Sequence, residues 1–72
     1  MPITTAYDPE TVELLRTVLD QAWADLHPRH KEQISKSRMA GYVLRHAAAG
    51  ERHPGRLRFR AIADAVQELA AA

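Results

Sequence analysis

The chain has 72 residues, a formal net charge of +1 and no cysteine, so disulfide cross-links are excluded. Residues 1–20 contain four acids and no apolar stretch, and no apolar run approaches the roughly 20 residues that cross a bilayer, so we expect neither a secretory signal nor a membrane span. A domain of this size buries only about 60% of its unfolded surface. We therefore expect one small cytoplasmic domain over residues 1–72, with a core completed by dimerisation.

Charge is distributed unevenly along the sequence. Residues 1–26 contain five acids and one arginine, residues 27–60 contain nine lysines and arginines against two acids, and residues 61–72 contain two acids. Such separation attracts partners of complementary charge. We expect the partner to be a second copy of the chain, an acidic protein or a nucleic acid.

The first helix is predicted over about residues 9–27, after a flexible N-terminus formed by residues 1–7. Asp8 before Pro9 is typical of a helix start, because the carboxylate accepts a hydrogen bond from a free N–H and proline needs none. The residue before Pro28 disfavours helix, which ends this one. Apolar residues recur at the spacing of one helix face: Val12, Leu15, Leu19, Ala22 and Leu26. This face is the candidate dimer face, and it is also expected to pack on the other helices.

The second helix is predicted over about residues 35–49. Ser35 is a typical N-cap and Gly50 a typical C-terminal stop. A start near Pro28 is the alternative, but a continuous helix would place Ile34 on its basic side, which favours the later start. The apolar side of this helix is expected to face the core: Met39, Ala40, Val43, Leu44 and Ala47.

The third helix is predicted over about residues 54–71. His53 stands at the cap position before Pro54, where aspartate or serine would be a stronger cap. The apolar residues again step by three and four, and we expect them to form the core face: Phe59, Ile62, Val66 and Leu69. Because residues 56–60 have no second strand to pair with, the predicted fold is all-α, a compact three-helix domain.

Four basic residues are spaced seven apart, which places them nearly above one another on a continuous helix. They are Lys31, Arg38, Arg45 and Arg52, and Tyr42 follows Arg38 by one turn. We expect this basic stripe on the outer face of the second helix. There it is a candidate face for nucleic acid or an acidic protein, with Tyr42 available to stack on a base.

The alternative interpretation of the basic stripe is a solvated helix face that contacts only water. The sequence pI of about 8.3 favours this alternative, because dedicated nucleic-acid binders have values above 9. The sequence alone leaves both interpretations open.

No residue pattern indicates catalysis or a bound metal. The chain has four histidines, but structural zinc sites usually include cysteine, and no acid stands at ligand spacing. The three glycines are scattered rather than grouped in a phosphate-binding loop, and no serine lies in a glycine-bounded nucleophile turn. We expect no enzyme, no cofactor and no metal.

Three stretches of sequence carry a resemblance to bacterial proteins: residues 7–16 with Ala22 and Trp23, residues 35–40, and residues 48–58. Together they resemble small uncharacterised helical proteins of alphaproteobacteria over nearly the whole chain. The resembled sequences have an aspartate cap where this chain has His53. The resemblance implies a bacterial, cytoplasmic protein and brings no activity with it.

From these observations we expect a small non-catalytic protein-interaction or regulatory module that self-associates. The alternative is a small nucleic-acid-binding protein that uses the basic face of the second helix.

Overall fold

The computed structural model describes residues 7–71, and these form helices without strands. The helices are α1 (Pro9–Asp25), α2 (Pro28–Lys31), α3 (Lys36–Ala48) and α4 (Pro54–Ala71). The all-α prediction is confirmed. The three-helix count is incomplete, because α2 is an additional helix of a single turn between the first two predicted helices.

The three long helices contact one another in all three pairings. The predicted flexible N-terminus falls outside the described residues except for Tyr7, which packs against the core. Within residues 7–71, no helix combines the length and the apolar character needed to cross a bilayer.

The helix starts follow the predicted caps. Asp8 Oδ1 accepts a hydrogen bond from the Thr11 N–H at 2.8 Å, and Ser35 Oγ accepts one from the Arg38 N–H at 3.1 Å. The cap of α4 is the weaker one expected from its sequence: His53 Nδ1 accepts from the N–H of Gly55 at 3.1 Å. Satisfying these otherwise free N–H groups fixes where each helix begins.

The helix ends also have local causes. Leu26 adopts an extended conformation that ends α1, and Pro28 then opens α2. The end of α3 is marked by Gly50, whose φ of +107° suits a residue without a Cβ. Because the helix is interrupted between α1 and α3, Ile34 packs in the core. This agrees with the later start of the predicted second helix.

The core lies where the three long helices meet. Twelve residues are buried there: Leu15, Val18, Ala22, Leu26, Ile34, Met39, Tyr42, Val43, Ala47, Leu57, Ala61 and Ala65. The largest fully buried side chains are Met39, Leu57, Val18 and Val43. Burying a large apolar side chain contributes about 1.5–3 kcal/mol, so each of these four contributes substantially to the stability of the fold.

The predicted core face of α4 is wrong for Phe59 and Val66, whereas Ile62 packs against the core as predicted. Phe59 is 73% exposed and Val66 40% exposed, whereas Leu57, Ala61 and Ala65 face the core. Small alanine side chains let α4 approach its neighbours closely. The stabilisation from this close packing exceeds what burying the larger Phe59 ring would contribute. Leu44 of α3, also predicted for the core, is 46% exposed.

Candidate functional site

The basic stripe does not form one line on one helix. Lys31 lies in α2, Arg38 and Arg45 lie in α3, and Arg52 lies in the turn that follows α3. Residues 32–35 interrupt the helix between the first member and the second. Only Arg38 and Arg45 share a helix face.

All four members of the stripe have partners within the chain. Arg38 Nη1 lies 2.6 Å from Glu68 Oε2, and Arg45 Nη2 lies 2.5 Å from Asp64 Oδ2. Arg52 Nη1 donates to the Ala47 carbonyl oxygen at 2.6 Å, at the end of α3, where the Gly50 N–H also donates to the same oxygen. Lys31 Nζ lies 5.7 Å from the centre of the Trp23 ring. The stripe thus contacts its own chain.

Tyr42 does not lie on the outer face, and that prediction is wrong. Its side chain is part of the core and only 9% exposed. The guanidinium carbon of Arg45 lies 5.6 Å from the ring centre, a cation–π distance. A ring covered in this way cannot stack on a base.

Asp64 is the centre of the contacts between α3 and α4. Besides Arg45, its Oδ2 contacts His46 Nε2 at 2.6 Å. Burial raises the pKa of the Asp64 carboxyl, but the hydrogen bonds from His46 and Arg45 outweigh burial and hold it below its usual value. This carboxylate is the most enclosed member of the ion pairs that join the two helices.

Ion pairs extend to the rest of the basic segment. Among the described residues, six of its lysines and arginines lie within 3.9 Å of a carboxylate: Lys36, Arg38, Arg45, Arg56, Arg58 and Arg60. The acids come mainly from α1 and α4, the two acidic ends of the sequence. The uneven charge of the sequence is therefore largely neutralised within the fold, an intramolecular pairing that was not predicted from the sequence.

The candidate dimer face of α1 is divided between the core and the surface. Leu15, Ala22 and Leu26 are buried in the core of the single chain. Val12 is 44% exposed, and Leu19 is half-buried beside the core. Only the part of this face near Val12 and Leu19 is therefore left open to solvent.

A groove runs between α1 and α3 along that exposed part. Its volume is about 290 Å³, near the lower limit of ligand-binding clefts. The lining is mostly apolar and comes from both helices and the residue before α1: Tyr7, Val12, Leu15, Arg16, Leu19, Ala40, Val43 and Leu44. We call it the α1–α3 groove.

The outward side of α3 beside this groove has no charged residue. It presents Ser37, Ala40, Gly41, Leu44 and Ala48, which are exposed or half-buried. A Cβ built on Gly41 would meet no atom within 4 Å. Solvent-facing helix sides are normally charged or polar, so this uncharged side is unusual for a surface that contacts only water.

The histidines have structural contacts. His27 and His53 cap helices through Nδ1, and His46 contacts Asp64. Among residues 7–71, no group of three histidine or acidic side chains is arranged to hold a metal ion.

Comparison with known proteins gives no relative: no family model, no curated protein and no solved structure matches the chain. The resemblance to alphaproteobacterial proteins stays a prediction.

Proposed function

We propose that this protein is a non-catalytic interaction module that forms a two-fold homodimer through the α1–α3 groove. The observation that carries the proposal is the groove itself. It is apolar, it is open to solvent, and it continues into the uncharged side of α3. Exposed apolar surface bounded by polar residues is typical of protein contact sites.

The small size of the chain supports a second copy as the occupant. The core of the single chain contains only twelve buried residues within 7–71, and four of these are alanine. A second chain seated in the groove would cover Val12 and Leu44, which are the large apolar side chains left most open there. Dimerisation is a common way for small domains to enlarge their core.

The charges beside the groove are self-complementary. Arg16 lines it, and Glu13 precedes Arg16 by one turn of α1. Both side chains are exposed, and neither has an ionic partner among the described residues. If α1 of two copies lie antiparallel across a two-fold axis, Glu13 faces the partner subunit's Arg16 and Arg16 faces the partner subunit's Glu13.

Nucleic-acid binding through α3 has less support from the contacts. A phosphate approaching Arg38 or Arg45 would compete with Glu68 or Asp64, and Tyr42 is covered. If the four predicted phosphate contacts existed, the logarithm of affinity should fall with the logarithm of salt concentration with a slope of about −4. A titration of the labelled protein with duplex DNA, followed by amide resonances, tests this alternative.

Light scattering coupled to size exclusion tests the dimer directly. The wild-type protein is expected to elute with twice the chain mass, and Leu44→Glu is expected to elute as a helical monomer. Val66→Glu is the matched control, because Val66 is exposed to a similar degree but lies on α4. A wild-type monomer at millimolar concentration, or a dimeric Leu44→Glu variant, would contradict the proposal.

Charge exchange tests the two-fold arrangement more finely. Glu13→Arg and Arg16→Glu each place like charges opposite one another, so each variant should weaken the dimer. The double variant restores opposite charges in both contacts and should recover most of the affinity. Equal weakening in the single and double variants would rule out this arrangement while leaving the groove as the contact surface.

A further inference from the structure

A second apolar surface runs along α4 beside the face that packs in the core. It consists of Phe59, Ile62, Val66 and Leu69, which step along the helix by three, four and three residues. We call it the α4 stripe. Phe59 and Val66 are exposed, whereas Ile62 and Leu69 are half-buried and Ile62 packs against the core. Phe59 is the most exposed large apolar side chain among the described residues. Aromatic side chains exposed in this way are enriched at the centres of protein contacts.

Three arginines flank Phe59 in the sequence of α4: Arg56, Arg58 and Arg60. Arg56 and Arg60 share one carboxylate, that of Glu51, at 3.8 and 3.9 Å, and Arg58 lies 3.8 Å from Asp25. None of these contacts reaches hydrogen-bond distance. By contrast, Arg38 and Arg45 lie 2.6 and 2.5 Å from their acids. The arginines around Phe59 therefore keep N–H donors for a carboxylate from outside the chain.

We propose that the α4 stripe binds an acidic amphipathic helix of another protein. The apolar side chains of the stripe have the spacing that meets leucines at i, i+3 and i+7 of a partner helix. Acidic residues at one end of that helix would meet Arg56, Arg58 and Arg60. This surface is separate from the α1–α3 groove, so the proposal does not depend on the dimer.

The charge distribution favours an acidic helix over a nucleic acid or a lipid surface. The arginines are confined to the Phe59 end, and residues 61–71 of α4 contain no lysine or arginine. A nucleic-acid strand needs positive charge along its whole path. A membrane-surface helix needs basic residues along its polar face, and in α4 the opposite face is buried in the core.

The experiment uses a synthetic peptide of about 18 residues, which is five helical turns, with leucines at i, i+3 and i+7 and glutamates toward one end. The isotopically labelled full chain is titrated and amide resonances are followed. The expected result is a saturable shift confined to α4 around Phe59 and Val66, which weakens as salt is added. The control peptide, with every glutamate replaced by lysine, is expected to bind at least about tenfold more weakly.

Two variants and one control locate the contact. Phe59→Ala should weaken the acidic peptide about tenfold or more, and Arg56→Gln with Arg60→Gln should weaken it and flatten its salt dependence. Val12→Ala removes apolar surface from the α1–α3 groove instead and should bind normally. Because all these side chains are exposed, circular dichroism is expected to show unchanged helicity.

Four results would overturn the proposal. They are no shift at a peptide concentration of about 1 mM, equal binding of the lysine peptide, shifts at Leu44 instead of Phe59, and a response of α4 to single-stranded DNA or phosphatidylserine vesicles but not to the peptide. If Phe59→Ala converts a dimer to a monomer, the stripe is a self-contact and the acidic-helix proposal is also wrong. Failure of the peptide leaves the dimer measurement unaffected, so the two proposals fail separately.

Discussion

On the side of α3 that faces α4, Arg38 and Arg45 contact Glu68 and Asp64 at short distances. On the outward side, Ala40, Gly41 and Leu44 have no charge and border an open groove. The two sides belong to the same thirteen-residue helix. One side forms ion pairs with α4, whereas the other forms no ion pair among the described residues.

The comparison shows that positive charge is a poor guide to the binding surface of α3. The charged side of α3 is used to join α3 to α4, so its cations are already engaged. Among the described residues, no contact explains why the other side of α3 lacks charged residues. In a small domain with few buried residues, the side without charge is the better candidate for a partner.

The largest difference between the two sides should appear on truncating side chains to alanine. Met39 is fully buried, so Met39→Ala leaves a cavity and should lower the free energy of unfolding by about 2–5 kcal/mol. Leu44→Ala removes a side chain that is partly in water and should cost much less at concentrations where the chain is monomeric. Urea unfolding of both variants checks this, and similar losses would show that Leu44 belongs to the core after all.

The next effect concerns the charged side. Asp64→Asn keeps the shape of the side chain but removes the charge that faces Arg45 and His46. Because Asp64 is largely enclosed, we expect the free energy of unfolding to fall by about 1–2 kcal/mol. Lys36→Gln is the control, since its contact with Asp20 is exposed at both ends and should contribute less than about 1 kcal/mol.

Acid should erase the difference between wild type and Asp64→Asn. The pKa of the Asp64 carboxyl is lowered in the folded state, so its stabilisation is present above the unfolded-state value of about 3.9 and is lost as pH falls through the lower folded-state pKa. Unfolding of both proteins is measured from neutral pH downward. A difference that stays constant below the usual carboxyl range would show that the introduced amide disrupts packing, and that loss of charge is not the cause.

The start and end of each long helix could be predicted from the sequence because caps are local. Asp8, Ser35 and Gly50 each act on N–H or C=O groups within a few residues, so sequence neighbours are enough to place them. The alternative helix start near Pro28 corresponds to the separate single turn α2, which the sequence does not indicate because a four-residue helix has almost no periodicity to detect.

The facing of α4 and the partners of the basic stripe could not be predicted in the same way. Apolar residues occur on several sides of α4. The bulky Phe59 and Val66 suggested that their side faces the core, but the side with Ala61 and Ala65 does so. The pairs that join α3 to α4 connect residues 19 and 30 positions apart. One signal was present: Asp64 and Glu68 stand one turn apart on one helix face and could have been matched to the arginines of α3.

Two glycine substitutions should change the stability of the monomer by smaller amounts and in opposite directions. Gly41 lies within α3 on the uncharged side with open space around it, so Gly41→Ala should stabilise the monomer by up to about 1 kcal/mol. Gly50→Ala forces a Cβ into a positive φ and should destabilise by about 1–2 kcal/mol. Thermal unfolding at low concentration checks both.

The same Gly41→Ala variant also tests the dimer. A methyl group at Gly41 would separate two copies that pack closely on the outward side of α3, so the dimer dissociation constant should rise while the monomer becomes more stable. An unchanged dissociation constant would mean that the second chain does not approach Gly41.

The smallest effect is expected at Tyr42, on the charged side. Its hydroxyl is buried and has no hydrogen-bond partner among the described residues, so Tyr42→Phe removes a polar group without breaking a bond. The ring stays in the core and continues to face the Arg45 guanidinium. The free energy of unfolding should therefore stay the same or rise by less than about 1 kcal/mol, because an unpaired buried hydroxyl carries a desolvation cost. A fall in the free energy of unfolding of more than about 1 kcal/mol, measured in urea, would instead reveal a hydrogen bond from the Tyr42 hydroxyl. The charged side of α3 would then have one more polar contact than the uncharged side.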